Sequence, residues 1–143
     1  MAESQTYANH RRFEPLQHFF ITPVLMITWI SAVVLAVKHP NIHNLWMALV
    51  AFTVFLLAMQ VRVYALKVQD RVIRLEETLR MQKVLPAELQ VRIPELSVKQ
   101  FVGLRFAADP ELSQRVREAL DEQLSGEQIK KRIQTWRPDT FRI

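Results

Sequence analysis

Two long apolar runs dominate the first half of the chain. From Phe19 to Val37 there are 19 residues without a charge, FFITPVLMITWISAVVLAV. At 1.5 Å per residue, a helix of that length spans about 28 Å, close to the hydrocarbon thickness of a bilayer. Pro23 lies in its first turns, where proline is tolerated at the expense of a modest kink. A second run, Leu45 to Val61 (LWMALVAFTVFLLAMQV), holds 17 uncharged residues. Between the runs, Lys38-His39-Pro40-Asn41-Ile42-His43-Asn44 supplies turn formers. The pattern predicts two membrane-spanning helices joined by a short hairpin. Trp46 and Tyr64 stand at interfacial anchor positions, whereas Trp29, near the middle of the first run, is expected at a helix–helix contact. Gln60, the one strongly polar side chain in the second run, is expected to hydrogen-bond a neighbouring helix.

The second helix is not expected to stop at the membrane. No glycine or proline interrupts the chain from Leu45 until Pro86. Val61, Ala65, Val68, Val72, Leu75 and Leu79 are spaced 4-3-4-3-4, the seam of a coiled coil. A helix from Leu45 to Val84 would be about 60 Å long, its latter part a stalk. The seam could pack on the chain's own C-terminal helices or pair with a second copy, and about three heptads do not decide between them.

Beyond a linker around Pro86 to Pro94, capping signals predict three short helices. Ser97 with Gln100 is a capping box for about 98–107, and Ser125 with Gln128 is another for about 126–135. Asp109-Pro110 reads as an N-cap followed by an N1 proline for about 110–123. Apolar residues recur helically at Phe101, Leu104 and Phe106, at Leu112, Val116, Ala119, Leu120 and Leu124, and at Ile129, Ile133 and Trp136. So few apolar groups make a marginal core alone, and docking on the stalk would complete it. The expected fold class is all-α: a transmembrane helical hairpin, its second helix extended as a cytoplasmic stalk, plus a small C-terminal three-helix module. The segments are 1–18 (N-terminal, cytoplasmic), 19–37 and 45–61 (spans), 38–44 (external hairpin), 62–85 (stalk) and 86–143 (module).

Charge sets the orientation. Residues 1–85 carry 9 Lys/Arg against 5 Asp/Glu, whereas residues 86–143 carry 10 against 9. The basic excess therefore accompanies the apolar runs, as expected beside an anionic membrane surface. Arg11 and Arg12 flank the first run, and Arg62, Lys67, Arg71 and Arg74 follow the second, but the hairpin has only Lys38. The positive-inside rule then places both termini in the cytoplasm. A cleaved signal peptide is the rival for the first run. Its apolar core would exceed the usual 7–15 residues, and a second span follows directly.

Three ordered blocks carry a family resemblance. Before the first run stands Gln5-Thr6-Tyr7-Ala8-Asn9-His10-Arg11-Arg12-Phe13-Glu14-Pro15-Leu16-Gln17-His18-Phe19. After the second stands Gln69-Asp70-Arg71-Val72-Ile73-Arg74-Leu75-Glu76-Glu77-Thr78-Leu79-Arg80. The third comprises Leu104 to Leu112, then Leu124-Ser125, Ile129-Lys130-Lys131, Ile133, Trp136, Asp139 and Arg142. Over nearly its whole length the chain resembles a family of small bacterial two-span membrane proteins of unknown function. The resemblance implies a stand-alone protein of the bacterial inner membrane and implies no particular activity.

Candidate chemistry is sparse. The chain has no cysteine, which excludes disulfides, thiolate catalysis and Cys-ligated metal, and its only glycines, Gly103 and Gly126, exclude a phosphate-cradling loop. His39 and His43 are four apart, but Pro40 breaks any helix that would align them. His10 and His18 belong to the other face of the membrane, so no metal or haem site is expected. No nucleophile is grouped with a base, and neither span carries a charge, so no catalytic residues, cofactor or proton path are expected. Asn9, His10, Arg11 and Arg12 together with Gln69, Asp70, Arg71 and Arg74 form the candidate site. Asp70 could pin the N-terminal arginines to the stalk through bidentate pairing. Alternatively, the arginines contact lipid headgroups. Lys130-Lys131-Arg132 raises nucleic-acid binding, but residues 86–143 are nearly neutral, unlike a nucleic-acid reader. The expected role is therefore non-enzymatic: a membrane-anchored scaffold or accessory subunit for a protein partner or a second copy. Alternatives are a small lipid-contacting or transport accessory component and a membrane-tethered nucleic-acid binder.

Overall fold

The computed structural model describes residues 6–7 and 14–138. The chain divides into two compact units, Arg12–Leu66 and Lys67–Ile143 with Met1–Arg11.

The first unit is a helical hairpin. A turn of π-helix, Leu16–Ile21, runs directly into α1, Thr22–Lys38. Together they form one apolar rod of 23 residues that begins before the charge-free run does. The wide turn lies immediately ahead of Pro23 and closes with the Thr22 N–H donating to the Gln17 carbonyl. Proline brings no N–H to the ladder, and a π-turn is one way for a helix to absorb that loss.

The hairpin is shorter than the expected 38–44, because α2 already begins at Ile42. Asn41 is its N-cap. The Asn41 Oδ1 accepts from the Asn44 N–H at 2.9 Å, and the Asn41 carbonyl accepts from the Leu45 N–H at 3.1 Å. The side-chain amides of Asn41 and Asn44 both donate to the His39 carbonyl, at 3.1 and 2.8 Å. Trp29 packs between the helices as expected, 5.1 Å from the Phe52 ring and stacked 6.1 Å from Phe55. Thr28 and Thr53 return their hydroxyls to carbonyls of their own helices, Val24 and Leu49. Gln60 departs from expectation: it is exposed and makes no side-chain hydrogen bond to a described residue. Most apolar side chains of this unit point outward, including Phe19, Ile27, Trp46 and Leu57.

Helix α2 runs unbroken from Ile42 to Val84, 43 residues or about 65 Å. Its last turns, with α3 (Ala87–Gln90), a 3-10 turn (Ile93–Glu95), α4 (Val98–Leu104), α5 (Asp109–Asp121) and α6 (Gly126–Arg132), make the second unit. One apolar cluster holds it together: Met81 and Leu85 from the end of α2 and just beyond it meet Phe101, Leu104, Phe106, Leu112, Val116, Leu120 and Ile129. The segment read as a linker is part of this core, since Leu89, Ile93 and Leu96 are buried in it.

The face of α2 that docks is not the heptad seam. Ile73, Glu77 and Met81 are buried, four residues apart along one line of the helix. Val68, Val72, Leu75 and Leu79 remain 46–62% exposed. The seam therefore does not pack on the chain's own C-terminal helices. At 100° per residue, Leu75 and Ile73 lie on nearly opposite sides.

Both capping boxes form. Ser97 and Ser125 each accept from the third backbone N–H beyond, at 3.3 Å, and their own N–H groups donate to Gln100 and Gln128 at 2.8 Å. Gln100 is itself buried, and its Nε2 donates to the carbonyls of Ala119 and Leu124, tying the start of α4 to the end of α5. Asp109 is not the N-cap of α5: that position is Ala108, and the Asp109 carboxylate is taken by Arg80 instead. Helix α5 ends with Gln123 at φ 52°, where glycine is usual, and the Leu124 N–H closes the turn onto the Ala119 carbonyl. Helices α4 and α6 stop earlier than predicted because the chain extends after each. Ala107 and Trp136 form an antiparallel bridge, and the Arg137 N–H donates to the Phe106 carbonyl at 2.7 Å.

Candidate functional site

A cleft of about 790 Å³ opens on the second unit. Gln69, Val72, Glu76, Leu79 and Lys83 of α2 line one wall, and Arg105, Asp109, Arg137 and Pro138 line the other. At its base Glu77 is 5% exposed. Arg80 donates to it at 2.9 Å, and Arg137 donates to its other oxygen at 3.2 Å. Arg80 also donates to Asp109 at 2.8 Å and to the Ala107 carbonyl at 2.6 Å.

A planar guanidinium suits this work, because its fixed fork of donors can serve a carboxylate on each side and a carbonyl at once. Neither Glu77 nor Asp109 stands as a lone base, since Arg80 serves both. Chemically, the arrangement is a clamp that joins the end of α2 to the start of α5.

A second set of charges locks α5 to the C-terminal segment. Arg115, a buried arginine, donates to Glu118 at 2.7 Å. Glu111 accepts the backbone N–H of Gln134 at 3.2 Å. Arg132 grips both oxygens of Glu122, at 2.8 and 2.7 Å. Burial alone would raise the Glu118 carboxyl, but hydrogen bonds from Gln114 and Arg115, with the charges of Arg115 and Arg132, outweigh it and hold the group below the ordinary glutamate value. The hydrogen bond from Arg132 does the same for Glu122, and Glu122 in turn keeps Arg132 more firmly protonated. Lys130 pairs with Glu127 at 3.0 Å, so two of the three cations in the Lys130-Lys131-Arg132 run already face carboxylates.

Of the residues singled out from sequence, Asn9, His10, Arg11 and Arg12 lie outside the described residues. Gln69 lines the cleft and Asp70 is half-buried, its carboxylate making no ion pair with a described residue. Arg71 and Arg74 are exposed, and the Arg74 guanidinium lies 5.9 Å over the ring of Phe101. Glu77, Arg80, Arg115 and Arg137 were not anticipated. The available signal was a charge at Glu77 inside the four-residue series Ile73, Glu77, Met81, Leu85.

These features define an all-helical class of protein: an apolar hairpin whose two helices are long enough to cross a membrane, followed by a small polar module with an apolar core. The chain belongs to the family of unknown function DUF6526, whose model matches residues 1–143. No curated protein and no solved structure matches it.

Proposed function

We propose that this is an integral membrane protein of the bacterial inner membrane that acts as a non-enzymatic scaffold or accessory subunit. Its hairpin crosses the bilayer twice, and both termini lie in the cytoplasm with the helical module. The observation that carries the reading is the solvent each helix demands. The most apolar 18-residue windows of the two helices have mean hydropathies of 2.3 and 1.9, yet only 6% and 0% of their residues are buried within the protein. The core helix of a water-soluble protein would be mostly covered. Left bare, this much apolar surface would drive association in water at about 25 cal/mol per Å², and a bilayer removes that penalty. Thr28 and Thr53 satisfy their hydroxyls within their own helices, as lipid requires.

The orientation follows from the excess of Arg and Lys on the flanks over the single Lys38 of the hairpin. The scaffold role follows from what the module offers: carboxylates locked in ion pairs and a cleft walled by charges of both signs. Membranes washed at about pH 11 or in about 6 M urea, conditions that strip peripheral proteins held by charge, should retain the protein in the pellet until detergent is added. Release into the wash would contradict the reading.

A further inference from the structure

We propose that the exposed seam of α2 binds the same seam of a second copy, in parallel and in register. The proposal rests on the membrane reading above for the parallel sense alone: two copies inserted the same way in one bilayer leave it with their helices pointing the same way.

Val68, Val72, Leu75 and Leu79 form an apolar stripe on a helix outside the apolar run, and they are 59, 46, 62 and 51% exposed. The module covers the other side of α2, through Ile73, Glu77 and Met81. Val72, Glu76 and Leu79 also form a wall of the cleft but stay exposed, so a second helix would lie over Val68 and Leu75 and along the rim of that cleft. The 4-3-4 spacing places Val72 and Leu79 at a positions and Val68 and Leu75 at d positions. A β-branched residue at a followed by leucine at d, as in Val72 and Leu75, favours a two-stranded parallel coil.

The flanking residues specify the partner. In that register Arg71 occupies g and Glu76 occupies the following e. These are the positions that meet between chains of a parallel pair, and a dimer makes this contact twice. Within one chain the two are five residues apart and face different ways. Both are exposed, and neither makes an ion pair with a described residue. The other facing positions, Tyr64 with Gln69 and Thr78 with Lys83, oppose no like charges. The seam thus carries apolar knobs and a self-complementary charge pair, which a lipid surface or an unrelated acidic or basic partner would not require.

The absence of cysteine from the chain makes the test direct. Leu75→Cys, placed in the full-length protein in native membranes, should form a disulfide-linked dimer with copper–phenanthroline. Gln114→Cys on α5 should not. Wild type in mild detergent should have the mass of two chains by light scattering. Arg71→Glu brings a carboxylate against Glu76 of the other copy and should lower the dimer fraction markedly, and adding Glu76→Arg should restore it. Both positions are exposed, so these variants should keep the wild-type helical circular dichroism. A monomeric wild type, equal cross-linking of the two cysteine variants, or a charge reversal without effect would each overturn the proposal. Any of these could occur with the protein still resistant to urea extraction, so failure here is distinct from failure of the membrane reading.

Discussion

Gly126→Ala should unfold the C-terminal module or bring it close to unfolding. A Cβ at Gly126 would run into the Lys99 carbonyl oxygen and lie 3.3 Å from its carbon. A Cβ at Gly103 would lie 2.8 Å from the Gly126 carbonyl oxygen. The only two glycines of the chain therefore face one another where α4 passes α6, each removing a side chain that the opposing backbone would meet. Neither has a positive φ, so the requirement is close approach and not backbone freedom. The obstructing atoms are backbone, and they cannot swing aside as a flexible side chain would. Each glycine also sits on a helix started by a capping box, so shifting either helix would break bonds that start it. Overpacking of a core typically costs about 1–3 kcal/mol, and a backbone clash of this severity belongs at or above the upper end. Small domains have about 5 kcal/mol to lose. Trp136, which packs 5.1 Å from Phe106, reports on this core. With Trp29 and Trp46 replaced by Phe, its fluorescence should show a urea midpoint far below wild type for Gly126→Ala. An unchanged midpoint would mean that α4 and α6 do not cross at these glycines.

The second large effect is expected at Arg80. Arg80→Ala removes donors from Glu77, Asp109 and the Ala107 carbonyl together. Glu77 would be left buried, its remaining cation the half-exposed Arg137 at 3.2 Å. Removing one partner of a buried ion pair costs about 3–5 kcal/mol, chiefly for the charge left behind. Surface pairs such as Arg117 with Glu88 are worth about 0–1 kcal/mol, so Arg117→Ala is the control. If the orphaned charge is the cause, adding Glu77→Gln to Arg80→Ala should recover a substantial part of the loss. Simple additivity of the two single changes would argue against the clamp.

Much of this was legible in the sequence, and the particular residues show why. The two charge-free runs, Ser97 with Gln100, and Ser125 with Gln128 are local signals, readable without knowing what packs where. The misread parts are those that depend on a distant partner. Asp109-Pro110 has the form of an N-cap, yet Arg80, 29 residues away, claims its carboxylate. Pro86 to Pro94 resembles a spacer because its prolines are conspicuous, whereas Leu89 and Ile93 are what the core uses. On α2 two apolar lines compete. The heptad line through Val68, Val72, Leu75 and Leu79 is the purer one, but the line that docks contains a glutamate whose burial Arg80 and Arg137 make tolerable. In the sequence the glycines stand out only by their scarcity. Nothing in a sequence marks Gly103 and Gly126, far apart along the chain, as neighbours. Of the candidate site, Gln69, Asp70, Arg71 and Arg74 lie on the part of α2 that belongs to the second unit, and the charges Glu77 and Arg80 lie further along the same helix.

The central claim is that the hairpin crosses a membrane with the module inside. The cysteine-free background allows one direct measurement, labelling single cysteines in intact cells with a membrane-impermeant maleimide. Asn41→Cys would disturb the N-cap of α2, so the neighbouring Pro40→Cys is the better hairpin probe. Pro40→Cys should label from outside in intact cells, and Ser113→Cys in α5 only after the membrane is permeabilised. Equal labelling of both in intact cells, or protection of both until lysis, would contradict the two-span arrangement.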